Sequence, residues 1–409
     1  MKSPIIKTFA LLTAVSMLCA CKDGVKNDSS LQITKNDVIH LDGTFEDNFL
    51  KSWEYILLDD KNTESMMGYI DGVFFDDDLL FVYSGRYTGN QSQIKVFDRQ
   101  GNFLNDIGRT GRAQNEFLRV SNWAIDTRNN QLILFDNFAQ ALKRYDYKGN
   151  YLGQTKVKPV QITDQYVGTD FIKNLSDGSI LYQGGLVVVP TYDYFYINRD
   201  GTYQSPLEMT GYRQYCSMDP MEYLRRSGDM GGLTLTVAYS NYRSDTTYLI
   251  RTFDHHIYRI DKDSAECVAN MAFMPEIPDK VKFDYEYSSN PDEEKYAGHV
   301  IPNFFYDMKD YMYIWYYYDN EYLFDKKSSK MYHFNHDTLH VSVPEMGNIS
   351  VCDNAIVGVA SEYYINQALN RLNSRDYDHR YTPELEEFYR KASRHDNAAI
   401  VIATYGRKE

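Results

Sequence analysis

The sequence predicts an all-β protein: a six-bladed β-propeller of four-stranded antiparallel blades, the last blade closed by both termini, with two helices inserted near the C-terminus. Three observations predict it. The 409 residues include 37 Tyr and 21 Phe, and aromatics favour strands over helices. A strand–Asp/Asn–x–x–Gly/Ser–strand hairpin recurs five times at spacings of 48 to 64 residues. A second β pair precedes the better-defined hairpins, so the repeat unit is four short strands. Such a sheet cannot bury both faces alone, and units set radially around an axis bury each face on the next.

Taken from the N-terminus, Lys2 and Lys7 flank a short apolar run from Phe9 to Leu18. The run is too short to span a bilayer and fits a secretory signal over residues 1–20. Leu18-Cys19-Ala20-Cys21 resembles a bacterial lipobox, with cleavage before Cys21 and acylation of its sulfur. Residues 21–37 are expected to form a flexible tether, and 38–409 the propeller. The formal charge is −14, and losing Lys2 and Lys7 takes it to about −16. That balance opposes nucleic-acid binding, which needs Lys and Arg against phosphates. Three cysteines beyond Cys21, at 216, 267 and 352, permit at most one disulfide.

The hairpins come next. Lys95-Val-Phe-Asp98-Arg-Gln-Gly101-Asn-Phe-Leu104 and Lys143-Arg-Tyr-Asp146-Tyr-Lys-Gly149-Asn-Tyr-Leu152 define the pattern. Phe195 to Tyr203 repeats it with Asn198 and Gly201, and the copies at Asp261 and Asp325 carry Ser264 and Ser328 in place of glycine. The acid bonds the turn backbone and the glycine takes positive φ. Tyr311 to Tyr318 shows no polar alternation. It reads as a middle strand buried on both faces, with a sugar-stacking platform as the alternative.

The last blade is assigned by closure. Gly347–Cys352, Ala355–Ala360 and Ala398–Thr404 supply three strands, and Trp53–Leu58 from the other end of the chain supplies the outer one. Joining both ends in one sheet leaves no open edge there. The insertion at about 361–394 holds two helices. Ile365, Ala368, Leu369 and Leu372 share one face of the first. The second starts with Thr382 as N-cap and Pro383 at N1, with Glu384, Glu386 and Glu387 near its positive end and Arg390, Lys391 and Arg394 near the other.

The stretch Ile107-Gly108-Arg109-Thr110-Gly111-Arg112 invites a phosphate-loop reading, but a phosphate loop of the GxxxxGK[ST] type needs a lysine and a following helix. Here Gly108 and Gly111 instead link an outer strand to the next inner strand. With Phe97-Asp98-Arg99-Gln100-Gly101-Asn102-Phe103 before it and Glu116-Phe117 after it, this stretch resembles the NHL-like six-bladed β-propeller lipoproteins of Gram-negative bacteria. Ala113-Gln114-Asn115 departs from that family's Gly-Pro-Gly. The resemblance implies a propeller fold and an envelope location, and says little about chemistry.

No HExxH, GxSxG or GxGxxG unit occurs. Asp261-Lys-Asp263-Ser-Ala-Glu266 lacks the glycine of a calcium loop. His255 and His256 point to opposite strand faces, and His333 and His336 lack a third histidine nearby. No metal site and no cofactor is expected. Arg109 and Arg112 are candidate ligand contacts near the axis. Two long connectors add candidates: Tyr212, Arg213, Tyr215, Arg225 and Arg226 in the first, Tyr285 and Tyr287 in the second. Long connectors without repeat character are often functional.

The expected function is a non-enzymatic scaffold, held at the outer membrane on its periplasmic face or at the cell surface by the lipid on Cys21. It is expected to act as a monomer that recognises a glycan, a peptide or an envelope protein. The alternative is a funnel-site enzyme, a lactonase-like hydrolase or a carbohydrate-active lyase, using carboxylates that converge on the axis, with Ca²⁺ as the one cofactor such a reading admits.

Overall fold

A computed structural model describes residues 30–85, 92–136, 138–157, 169–184, 194–204, 237–250, 255–261, 265–275, 302–316, 320–335, 340–374 and 380–408. It is an all-β propeller of antiparallel blades with few helices. The first blade comprises Gly72–Asp76, Leu79–Ser84, Gln93–Asp98 and Phe103–Asp106, and the second Val120–Asp126, Gln131–Asp136, Ala141–Asp146 and Tyr151–Lys156. The third comprises Thr169–Asn174, Ile180–Gly184, Tyr194–Ile197 and Tyr203–Gln204. In the closing blade Gly347–Cys352, Ala355–Ala360 and Ala399–Tyr405 are joined by Leu50–Leu57, which pairs Val401 with Tyr55. Both ends of the chain therefore share this sheet.

The blade count departs from the expectation. Among the described residues five four-stranded blades are present, not six, because one inner strand changes sheets. Val237–Ser240 pairs in parallel with Pro302–Asp307 instead of with Thr247–Ile250. The fourth blade is thus Thr247–Ile250, His256–Ile260 and Ala265–Asn270, completed by Leu31–Gln32 running parallel to its outer strand. A further sheet has six strands, Val237–Ser240, Pro302–Asp307, Tyr311–Tyr316, Asn320–Asp325, Lys330–Asn335 and Val38–Asp42, and a small parallel pair joins His340–Val341 to Arg380–Tyr381. Two N-terminal strands therefore cover two outer edges that would otherwise expose unpaired backbone. The described part of the expected tether is docked, not free. Ile33 is 1% exposed and its N–H donates to the Asn270 carbonyl at 2.8 Å. His40 meets His333 across the second of these seams, Nδ1 to Nδ1 at 3.1 Å.

The hairpin repeat explains how neighbouring blades join. Asp98 Oδ1 accepts from the N–H groups of Gln100 and Asn102, and Asp146 does the same for Lys148 and Asn150. Gly101 (φ +85°), Gly149 (+85°) and Gly201 (+80°) each face a backbone carbonyl of the preceding blade. A Cβ would lie 2.0 Å from Leu57 O, 2.4 Å from Asp106 O and 1.9 Å from Lys156 O, respectively. The glycine therefore serves the turn and the inter-blade joint together. In the copy at Asp325 the left-handed residue is Ser329 (φ +56°), one position later than the glycine, while Asp325 still accepts from Lys327 and Ser328.

Apolar layers fill the gaps around the ring. Leu80, Val82 and Phe97 pack with Val357, Val359 and Ile400, while Phe81, Ile94 and Val96 pack with Trp123, Ile125 and Leu132. Full burial of such side chains contributes roughly 1.5–3 kcal/mol each. Three α-helices are described, α1 (Phe45–Phe49), α2 (Glu362–Asn373) and α3 (Pro383–Ala392), besides a 3-10 turn at Lys35–Asp37. As expected, Thr382 caps α3 by accepting the Leu385 N–H at 3.3 Å. Leu385, Phe388, Tyr389 and Ala392 bury one face of α3 against Ala360, Ala399 and Val401 of the closing blade.

Candidate functional site

The strand that changes sheets leads into a segment that fills the axis. Asn241 donates its N–H to Asp307 O at 2.9 Å and its side-chain oxygen accepts from Asp353 N–H at 3.1 Å. The Tyr242 hydroxyl donates to Phe75 O, and its N–H reaches Val351 O. Arg243 spans two blades, with Nη2 2.7 Å from Asp76 and Nη1 3.2 Å from Asp353. Asp245 accepts from Arg128 of the second blade at 2.6 Å and from Ser176 N–H of the third at 2.8 Å. Lys173 Nζ, fully buried, donates to Ser240 Oγ, Thr246 O and Thr247 Oγ1. Residues 240–247 thus bond to every sheet of the ring.

Carboxylates do stand at the ends of inner strands, as a funnel enzyme would need. The protein's own cations answer three of them. Asp76 and Asp353 hold Arg243, and Asp307 holds Lys326 at 2.5 Å. Burial moves the Lys173 ammonium down to about 8 and the Cys352 thiol up to about 11, so Cys352 carries little thiolate at neutral pH. Among the described residues no three His, Cys, Asp or Glu side chains group as a metal would require.

The connector with two glycines closes on itself. Glu116, 9% exposed, takes the Ala113 N–H at 2.8 Å and Arg109 Nε at 2.6 Å. The Ala113 amide, then the Arg109 guanidinium, hold its carboxyl below the usual range. A Cβ on Gly111 would fall 2.0 Å from Glu116 Oε2. Arg109 is therefore engaged by its own loop although solvent-exposed, and Arg112 is exposed beside it. The other candidates, Tyr212, Arg213, Tyr215, Arg225, Arg226, Tyr285, Tyr287 and Cys21, lie outside the described residues.

A layer of rings between the six-stranded sheet and the closing blade is only partly buried. Alternation places Phe304 and Tyr306 on one face, with Tyr313 and Trp315 on the neighbouring strand and Tyr239 opposite Tyr306. Ring centroids are 5.0 Å apart for Phe304–Trp315, 5.1 Å for Phe304–Tyr306 and 5.3 Å for Tyr239–Tyr306. Tyr306 and Tyr313 stack at 5.5 Å with planes 15° apart. Glu321 sits beside Trp315 in the ladder. Glu46 lies in α1, which Thr44 Oγ1 caps by accepting the Asp47 N–H. Desolvation, then repulsion from Glu321, raises the Glu46 carboxyl to about 7. Tyr239, Phe304, Tyr306, Trp315 and Glu46 are all half-buried. The strand from Tyr311, expected to be buried on both faces, buries Met312, Ile314 and Tyr316 but leaves Trp315 partly open.

The model of one protein family, "Domain of unknown function (DUF4934)", matches residues 35–404. No curated protein matches the chain. Among solved structures, a "Putative exported protein" from Bacteroides fragilis is similar over 90% of this chain and 100% of its own, with 14% identity and a TM-score of 0.59. That likeness shows the fold. A member of the duf4221 family from Bacteroides vulgatus covers 88% of this chain and 98% of its own at 7% identity, TM-score 0.48. Virginiamycin B lyase from Staphylococcus aureus covers 76% and 86% at 11% identity, TM-score 0.39.

Proposed function

This chain belongs to the DUF4934 family, and from that premise we propose that it is an exported, non-enzymatic recognition scaffold. In this reading residues 1–20 are a signal peptide and Cys21 carries the lipid that holds the propeller at the outer membrane. A glycan, peptide or envelope-protein segment is bound outside the cytoplasm. No described helix is long and apolar enough to cross a membrane.

One observation carries the reading. Around the axis, where a funnel enzyme would work, Tyr242 and Arg243 bond across the blades, whereas Phe304, Tyr306, Trp315 and Glu46 are each partly exposed. Aromatic faces give contact area at small entropic cost, and carboxylates fix orientation.

Glycan and peptide arrays probed with wild type and Trp315→Ala test it. Ligands held by wild type and lost by the variant, with unchanged melting temperature, are expected. Identical profiles for the two proteins would overturn the site, and turnover of a bound ligand would overturn the non-enzymatic reading. Labelled fatty acid should enter wild type and not Cys21→Ser.

A further inference from the structure

The connector between the first and second blades forms a second surface, held together by a buried acid. Asp136, fully buried, accepts the Leu118 N–H at 2.9 Å, the Arg119 N–H at 3.4 Å and the Ala139 N–H at 3.1 Å. One carboxylate thus draws two segments side by side. Buried Lys143 lies 3.5 Å from Asp136 and donates to the Glu116 carbonyl, while Lys156 Nζ donates to Ala139 O at 2.8 Å. The Phe117 N–H donates to Arg109 O at 3.1 Å, and the Gly111 N–H to Phe117 O at 2.9 Å. These bonds fix what the surface presents. Phe138 is 59% exposed and Leu118 39%, and the Arg119 guanidinium stands 6.0 Å from the Phe138 ring centre. Arg109, Arg112 and Lys156 are exposed around them. The acids of this region are engaged locally: Glu116 with Arg109 and the Ala113 amide, half-exposed Asp106 with Lys95 at 2.7 Å, and Asp71 with the Gly85 amide at 2.7 Å. A chain of net charge −14 thus gathers here, among the described residues, Arg109, Arg112, Arg119 and Lys156 around two exposed apolar side chains.

We propose that this surface docks an acidic peptide segment, with Arg112, Arg119 and Lys156 meeting its carboxylates and Leu118 and Phe138 packing against one of its apolar side chains. Charge complementarity carries the choice. Clustered guanidinium groups recognise acidic motifs, and their paired N–H groups match a carboxylate. Arginine and aromatic side chains also carry more than their share of binding energy at interfaces. A sugar ring packs on a flat aromatic face and would use Phe138 alone, whereas a peptide side chain uses Leu118 as well. Arg109 already answers Glu116 and contributes only to the field of the surface. The inference goes beyond the recognition reading above, because these residues belong to the first connector and the second blade and not to the sheet of Trp315.

Fluorescence anisotropy of the full chain tests this with a labelled, capped hexapeptide, Glu-Leu-Glu-Phe-Glu-Glu, against its counterpart with Gln for every Glu. The acidic probe should bind about tenfold more tightly than the neutral one, since only it meets the cations. That difference should collapse in about 1 M salt, where screening acts over about 3 Å. Arg119→Ala and Phe138→Ala should each weaken the acidic probe by about fivefold or more while melting temperatures stay unchanged, because both side chains point into solvent. Trp315→Ala should bind the probe as wild type does. Equal affinity for the two probes, or undiminished affinity in both Arg119→Ala and Phe138→Ala, would overturn the docking surface. Loss of the probe in Trp315→Ala alone would also overturn it, and would leave the recognition reading at Trp315 standing. Phosphatidylglycerol vesicles that bind in a Phe138-dependent manner, when neither peptide does, would assign the surface to lipid and overturn the peptide partner.

Discussion

Replacing Gly101 with alanine should destabilise the protein by about 3–5 kcal/mol, and the joint between blades accounts for most of it. A residue with a Cβ at φ +85° costs about 1–2 kcal/mol on its own. The new methyl would stand 2.0 Å from the Leu57 carbonyl oxygen, so the turn and the neighbouring blade must separate by more than an ångström. That opens the bond from Asp59 N–H to Gly101 O, now 2.8 Å, worth about 1 kcal/mol net, and loosens fully buried Leu58. Gly178 is the matched control. Its φ is +76°, but the atom in the way is Arg199 Nε, on an exposed side chain that can swing into solvent. Gly178→Ala should therefore cost only the backbone term, about 1–2 kcal/mol. Urea denaturation at constant m measures the pair. For a propeller of this size the predicted drops in Tm are about 4–6 °C and about 1–3 °C. Costs within about 0.5 kcal/mol of each other would refute the claim that the repeat glycine is an inter-blade contact.

Arg243→Met should cost about 3 kcal/mol by leaving Asp76, 5% exposed at its side chain, without its cation; adding Asp76→Asn should restore part of this in a double-mutant cycle. For Glu46 the sign follows from its raised carboxyl. The folded state holds a proton that the unfolded chain releases between pH 4.5 and about 7, so stability falls as pH rises through that window. Glu46→Gln should thus match wild type near pH 4.5 and exceed it by up to about 3 kcal/mol at pH 8, read from unfolding free energy against pH. Thr382→Ala should cost about 1 kcal/mol through the lost cap on α3, visible as faster hydrogen exchange at the Leu385 amide.

The hairpins were legible because their cause is local: an acid two to four residues before the amides it binds, then a glycine. The closing blade followed from the need to leave no edge, and α3 from its cap, its proline and its apolar stripe. The sheet exchange of Val237–Ser240 was not legible. It depends on Asp307, 67 residues on, accepting from Ser240 Oγ and Tyr248 N–H and so occupying the edge where a hairpin would close. The docking of Leu31–Gln32 was hidden too, since a polar segment with one buried residue reads as a linker. At the site, Tyr313 and Trp315 stood in a conspicuous aromatic run. The alternation of Phe304 with Tyr306 was the signal available for the adjoining wall.

The central segment changes what rupture of the ring would mean. In a propeller joined only at its circumference, unzipping Leu50–Leu57 from Ala399–Tyr405 would free one vane and then the next. Here each sheet is also lashed separately to residues 240–247. A chain nicked or permuted at the seam between its two ends would keep those moorings. Tension applied along the N-terminal strap would then be borne by the central segment, and the blades behind it would hold their shape.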